Sequence, residues 1–132
     1  VGEIMSAVID DLELRDAVME VGLSFHVGIG GGRLSAAQRQ KLGIARAVLK
    51  RPDVLILNEA TGSLDGAAQT AIQQALRTEM SGRGLVWAVH RASMAQDFDR
   101  ILVMKSGRVV EHGTWEELNT EGSAMHELVQ SE

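Results

Sequence analysis

The spacing of apolar residues changes several times along this chain. From about Ser6 to Val21, Val8, Ile9, Leu12, Leu14 and Val18 recur at three- and four-residue steps with acidic residues between them, which predicts an amphipathic helix that Gly22 can end. Val27 to Gly32 is glycine-rich. Ser35 then stands as the N-cap of a second helix reaching about Lys50. Arg46, Lys50 and Arg51 lie near its C-terminal end, where the helix dipole favours cations, and Pro52-Asp53 breaks it. Val54 to Leu57 is apolar without alternation, which predicts a strand covered on both faces, as in a parallel sheet. It runs into Asn58-Glu59. Asp65 can cap a helix from about Ala67 to Met80, and Gly82 and Gly84 make the turn into a second buried strand, Leu85 to Val89, which ends at His90. A short helix from Ser93 to Asp97 leads to a third strand, Ile101 to Met104. Ser106-Gly107 turns it into Val109-Val110, so the last strands form a hairpin. Thr114 caps a helix through Leu118, and Ser123 opens the last one. Strands alternating with helices predict an α/β fold. About residues 1–51 are helical, and about residues 52–132 hold a partial, mostly parallel sheet with the C-terminal hairpin.

Composition narrows this picture. The 132 residues carry a formal net charge of −5 and no long basic run, so nucleic acid is not expected as a partner. There is no cysteine, which excludes disulfides and thiolate metal sites. No apolar run approaches the roughly 18 residues that span a bilayer, and the N-terminus lacks the features of a signal peptide. The chain begins at Val1 rather than methionine, which fits the expectation of a fragment or a processed chain.

Two predicted strands end in residues able to do chemistry, Asn58-Glu59 and His90. In a parallel sheet the C-terminal strand ends share the edge where ligands bind. A carboxylate able to act as a general base and an imidazole able to sense a phosphate are thus expected on one rim. A strand-end carboxylate and an ordinary loop histidine explain the same residues more blandly. Leu34-Ser35-Ala36-Ala37-Gln38 adds a further element. Small residues at a helix N-terminus let backbone amides approach an anion, and Ser35 and Gln38 bring side-chain donors. On its own, this segment is equally a capped helix.

Taken in order, the segments resemble one family. Leu34 to Lys41, followed by Ile44-Ala45-Arg46-Ala47, is similar to the signature segment of ATP-binding-cassette (ABC) ATPases, usually LSGGQ followed by an IARA-type run. Leu55-Ile56-Leu57-Asn58-Glu59-Ala60-Thr61 resembles the Walker B strand with its catalytic glutamate. Ser63-Leu64-Asp65 resembles the D-loop, His90-Arg91 the switch histidine, and Gly107 to Thr114 the closing hairpin. The resemblance extends from about Val27 to the end, and an ordered set of motifs is far more specific than any single one. Val27 to Gly31 looks like the exporter-type loop that meets the transmembrane domains, with Ile29 where an acid is usual; a flexible lead-in reads the same glycines equally well.

The resemblance implies the C-terminal part of a P-loop NTPase domain working with ATP and Mg²⁺. Two such domains pair head to tail, so Leu34, Ser35, Ala36, Ala37 and Gln38 would contact, in trans, the γ-phosphate of a nucleotide held by a second ATPase domain. Glu59 would polarise the attacking water, His90 would contact the γ-phosphate, Asn58 would sit near Mg²⁺ through a water, and Asp65 would lie at the dimer seam. Transmembrane domains and the N-terminal half of the ATPase domain are the other implied partners. The implied location is cytoplasmic, on the inner face of the membrane.

The sequence departs from the family in ways that bear on activity. No G-x-x-x-x-G-K-[ST] phosphate loop occurs in it, and the adenine-stacking aromatic and Q-loop glutamine are also missing. Asn58 replaces the Walker B aspartate, which keeps an oxygen but loses the charge a hard cation prefers. Ala36 and Ala37 replace glycines and add a Cβ where backbone should meet phosphate. Whether the chain is an enzyme is therefore open. Its parent would couple ATP hydrolysis to transport, while the chain alone is expected to be inactive; the alternative is a degenerate or truncated module that only associates with a partner. Trp87 and Trp115 read as packing residues. His26, His112 and His126 lack metal-ligand spacing, and His126 reads as solvated.

Overall fold

The computed structural model describes residues 2–12 and 14–132. The chain forms two compact units, Val1–Ala88 and Val89–Glu132.

In the first unit the long helix predicted from Ser6 to Val21 is two helices, α1 (Gly2–Asp11) and α2 (Arg15–Val21); residue 13 of that prediction lies outside the described residues. At the break the Leu14 amide reaches back to the Ile9 carbonyl, 2.8 Å away, five residues rather than four. Leu12 and Leu14 explain it. Both are buried, and residues two apart cannot face one stripe of a straight helix.

Helix α3 (Ala36–Leu49) starts at Ser35, and α4 (Gly66–Glu79) starts at Asp65, whose side chain accepts from the Ala68 amide. Strand β1 (Val54–Asn58) pairs in parallel with β2 (Gly84–Ala88), in register from Val54 opposite Gly84 to Asn58 opposite Ala88. Helix α4 is the crossover between them. Ile72 and Leu76 of α4, fully buried, anchor a core completed by Val8, Leu12, Ile44, Val48, Leu55 and Leu57.

The expectation that β1 is covered on both faces is not met. Leu55 and Leu57 are buried, but Val54 is 56% exposed and Ile56 71%; Val86 of β2 is exposed on the same face. Helices cover one side of this pair, so the continuous apolar run is resolved into an alternating one by what packs on it. No third strand joins the pair among the described residues.

In the second unit a short 3-10 turn (Ala92–Ala95) precedes β3 (Ile101–Lys105) and β4 (Arg108–Gly113), an antiparallel hairpin with an irregularity between Val103 and Met104. Its turn residues Ser106 and Gly107 both have left-handed φ, +51° and +75°, the geometry that matches the twist of a tight hairpin. Helices α5 (Trp115–Leu118) and α6 (Ala124–Gln130) follow. Ile101, Val103, Leu118 and Met125 form the core, with Trp115 packed on it. The Glu111 carboxylate of β4 accepts from the amides of Ala124 and Met125 at 2.7 and 3.0 Å, covering the start of α6. His126, expected in solvent, is partly buried, with Nδ1 3.1 Å from Asn119 Oδ1.

Candidate functional site

Residues 26–34 lead into α3 as an ordered loop. Gly28, Gly30 and Gly31 adopt positive φ, which only glycine takes without strain. The Arg33 amide donates to the Val27 carbonyl at 3.0 Å, and its guanidinium to the His26 carbonyl at 3.3 Å. The Gly28 amide donates to His26 Nδ1. These bonds present Ile29 at the tip, fully exposed.

At the end of this loop Ser35 and Gln38 form a reciprocal capping box. The Ser35 hydroxyl accepts from the Gln38 amide at 3.1 Å, and Gln38 Oε1 accepts from the Ser35 amide at 2.9 Å. Both side-chain oxygens are thus used within the helix end. The serine proton and the glutamine NH₂ are the groups left to reach outward. Ala36 is exposed and Ala37 half-buried, and helix geometry leaves their amides without intrahelical acceptors. Arg39, which the sequence places in the first turns of this helix, folds back instead: its guanidinium donates to the Leu34 carbonyl at 2.6 Å and the Gly31 carbonyl at 3.4 Å. It braces the loop.

The second part of the candidate site lies past β1. Asn58 and Glu59 are exposed. Glu59 has φ +51°, a left-handed conformation that costs a non-glycine residue about 1–3 kcal/mol. Its amide donates to the Ala88 carbonyl of β2 at 2.9 Å, and its carbonyl accepts from the Gly62 amide at 3.3 Å. The parallel ladder is extended by one bond, and the chain then turns sharply, displaying the carboxylate at the strand edge. Strained non-glycine residues concentrate at functional sites. Asp65 is exposed, its Oδ1 taken by the Ala68 amide at 2.8 Å. His90, also exposed, comes two residues after β2 ends at Ala88. The in-register parallel pairing brings the ends of β1 and β2 side by side.

Sequence reading missed the residues that grip the turn between Glu59 and Asp65. Buried Gln69 donates through Nε2 to the carbonyls of Thr61 and Leu64 at 2.9 and 3.1 Å. Gln40 Oε1 of α3 accepts from the Ser63 amide at 3.0 Å. Gln69 falls in no motif, and Gln40, although inside the signature-like segment Leu34 to Lys41, has no role marked for it there, because glutamine on a helix is ordinarily a solvated residue.

Amides, a hydroxyl and a carboxamide at α3 fit the oxygens of a phosphate; Asn58 can hold a metal-bound water through its amide oxygen but brings no charge.

The ABC transporter family model matches residues 5–62. An ATP-dependent lipid A-core flippase of Xanthomonas oryzae pv. oryzae (strain MAFF 311018) is 46% identical over 112 residues, 85% of this chain and 19% of that protein. The flippase of Xylella fastidiosa (strain Temecula1) is 44% identical over 116 residues, 86% of this chain and 20% of that one. The chain belongs with the ATP-binding domains of ABC transporters, of the exporter type. A solved structure of a bacterial Atm1-family ABC exporter with ATP bound superposes with a TM-score of 0.92 at 28% identity, covering 99% of this chain and 24% of that one. This ABC chain spans about a fifth of the length of the curated relatives it matches.

Proposed function

We propose that this chain supplies the signature, Walker B, D-loop and switch-histidine part of an ABC exporter ATPase, acting at the cytoplasmic face of a membrane through a transmembrane partner. The observation that carries the reading is Glu59: a left-handed residue at the end of β1, tied through its amide to Ala88 of the parallel strand β2. Held there, its carboxylate takes a proton from, or orients, a water attacking the γ-phosphate of ATP. His90 donates to that phosphate. Asn58 holds a water of the Mg²⁺ ion, which when bound neutralises charge on the phosphates. Leu34, Ser35, Ala36, Ala37 and Gln38 meet the nucleotide of a second ATPase domain, and Asp65 lies at the seam of that dimer. Relatives named for lipid A-core flipping support an export role for the longer assembly.

The chain alone should not hydrolyse ATP at a rate typical of the family, because no phosphate loop occurs in its sequence. Purified chain is expected to release phosphate at background level. Steady release that Glu59→Gln abolishes would overturn this. A second reading, a module that associates without turnover, draws on Asn58 and on the Cβ atoms of Ala36 and Ala37. Asn58→Asp in a longer chain carrying the phosphate loop separates the two: a rise in turnover supports a weakened enzyme, absence of turnover before and after the change supports the non-catalytic module, and unchanged turnover would argue that Asn58 is not at the metal.

A further inference from the structure

The turn from Thr61 to Leu64 connects Glu59 to Asp65, the two acidic residues of the proposed site. Its own amides contribute one internal bond, from Leu64 to the Thr61 carbonyl at 3.0 Å. Besides the bond from the Gly62 amide to the Glu59 carbonyl, two glutamine side chains hold it. Gln69, on α4 and buried, spans the carbonyls at either end of the turn. Gln40, on α3 and half-buried, takes the Ser63 amide in the middle, across 23 positions of sequence. α4 begins at Asp65, immediately beyond the turn, so Gln69 holds it from its own flank. Gln40 is different. It belongs to the helix whose first turn is Ser35 to Gln38, and it sits two residues beyond Gln38 on that helix.

We propose that Gln40 is a positioning residue that fixes the turn behind Glu59 to the signature helix, so that the Ser35 end of α3 and the Glu59 carboxylate keep one geometry. The inference rests on the reading of Glu59 given above. Gln40 acts through the Ser63 amide, then through the Thr61–Gly62 segment whose Gly62 amide bonds the Glu59 carbonyl. What the position requires is a side-chain oxygen of glutamine length. Methionine matches the length and volume but is only a weak acceptor, whereas glutamate keeps the oxygen.

The test uses the full chain and two variants, Gln40→Met and Gln40→Glu, followed by amide exchange and NMR shifts. In Gln40→Met the Ser63 amide should exchange about fivefold faster, as befits the loss of one hydrogen bond, and the Glu59 amide signal should shift. Gln40→Glu should return both towards the parent values. The Ala68 amide, capped by Asp65, is the internal control for a folded α4. If Gln40→Met leaves Ser63 exchange and the Glu59 signal unchanged with Ala68 still protected, the proposal is wrong. Equal changes in Met and Glu variants would also overturn it, since they would report packing rather than the acceptor. If Gln40→Met loses Ala68 protection as well, Gln40→Glu decides alone: parent-like Ser63 and Glu59 signals support the proposal, and altered ones sink it. None of these readings involves nucleotide, so they stand apart from the turnover of Glu59→Gln on which the functional reading depends.

Discussion

Helices α3 and α6 each open on a serine whose hydroxyl accepts from the amide three residues on, Ser35 from Gln38 and Ser123 from His126. Beyond the serine they differ. The first amides of α6, Ala124 and Met125, are covered by the Glu111 carboxylate from β4. α3 has no acidic residue in its first turn, and its opening residues are two alanines. A helix N-terminus carries about half a positive charge. In α6 that charge is met by a side chain of the protein; in α3 it faces outward from a loop stiffened by Arg33 and Arg39. The 3-10 turn after His90 follows the α6 solution: the Glu132 carboxylate accepts from the Ser93 amide and hydroxyl at 2.9 and 2.6 Å. Where the fold needs only stability it brings its own carboxylate. Where the proposed function needs a phosphate, it does not.

The largest expected effect breaks α3 as an anion-facing end. Ser35→Arg, in a complex with an intact partner ATPase domain, should lower turnover by at least tenfold and leave the partner's own ATP affinity in isolation nearly unchanged. ATPase rates of the mixed complex check it; undiminished turnover would reduce the segment to a capped helix. Ser123→Arg, at the matching position of α6, should cost stability alone.

What the sequence made legible, and what it did not, divides along the same line. Caps at Ser35, Asp65, Thr114 and Ser123 reach three residues along the chain, so local pattern reveals them. So does the alternation of strand and helix. The Glu111, Gln40 and Glu132 bonds close over 13, 23 and 39 positions, and nothing local marks them. Val54 and Ile56 are exposed although the run they belong to is apolar throughout, because composition of a strand does not say which of its faces is packed. The break between α1 and α2 was hidden for a related reason: Leu12 and Leu14 each fit an apolar pattern, and only packing shows that both turn inward.

Next in size is the removal of the α6 carboxylate. Glu111→Ala leaves two amides of a partly buried helix start without a charged acceptor, and should destabilise the second unit by about 2 kcal/mol. Urea unfolding followed through Trp115 checks it, and Glu111→Gln should recover part of the loss. A change below a few tenths would mean that water replaces Glu111 freely. Smaller and nearly equal losses, about 1 kcal/mol each, are expected for Ser35→Ala and Ser123→Ala, each of which deletes one N-cap oxygen. A markedly larger loss at Ser35 would show that α3 depends on its cap because no carboxylate shares the task.

The smallest effect concerns Glu132 and has a definite sign with pH. Burial raises the affinity of its carboxyl for a proton, but the Ser93 hydroxyl and amide, Arg91 and the Ala92 amide outweigh it and hold the group below its ordinary value. A carboxylate whose pKa is depressed by folding contributes stability above the unfolded pKa and loses it as pH falls through the folded one. The tether should therefore be complete at neutral pH, and weaken only below the ordinary carboxylate range. Amide exchange at Ser93 is the measurement. After correction for intrinsic rates, protection should be constant between pH 7 and pH 5 and fall as the pH drops below about 4. Glu132→Gln should lower protection at neutral pH and flatten its dependence on acid. The α3 end has no comparable carboxylate, so protection of the Gln38 amide, held by a serine hydroxyl, should not follow the Ser93 profile. Coincident acid profiles for the two amides would point to general unfolding, and the contrast between a helix start closed by its own carboxylate and one left open would lose its support.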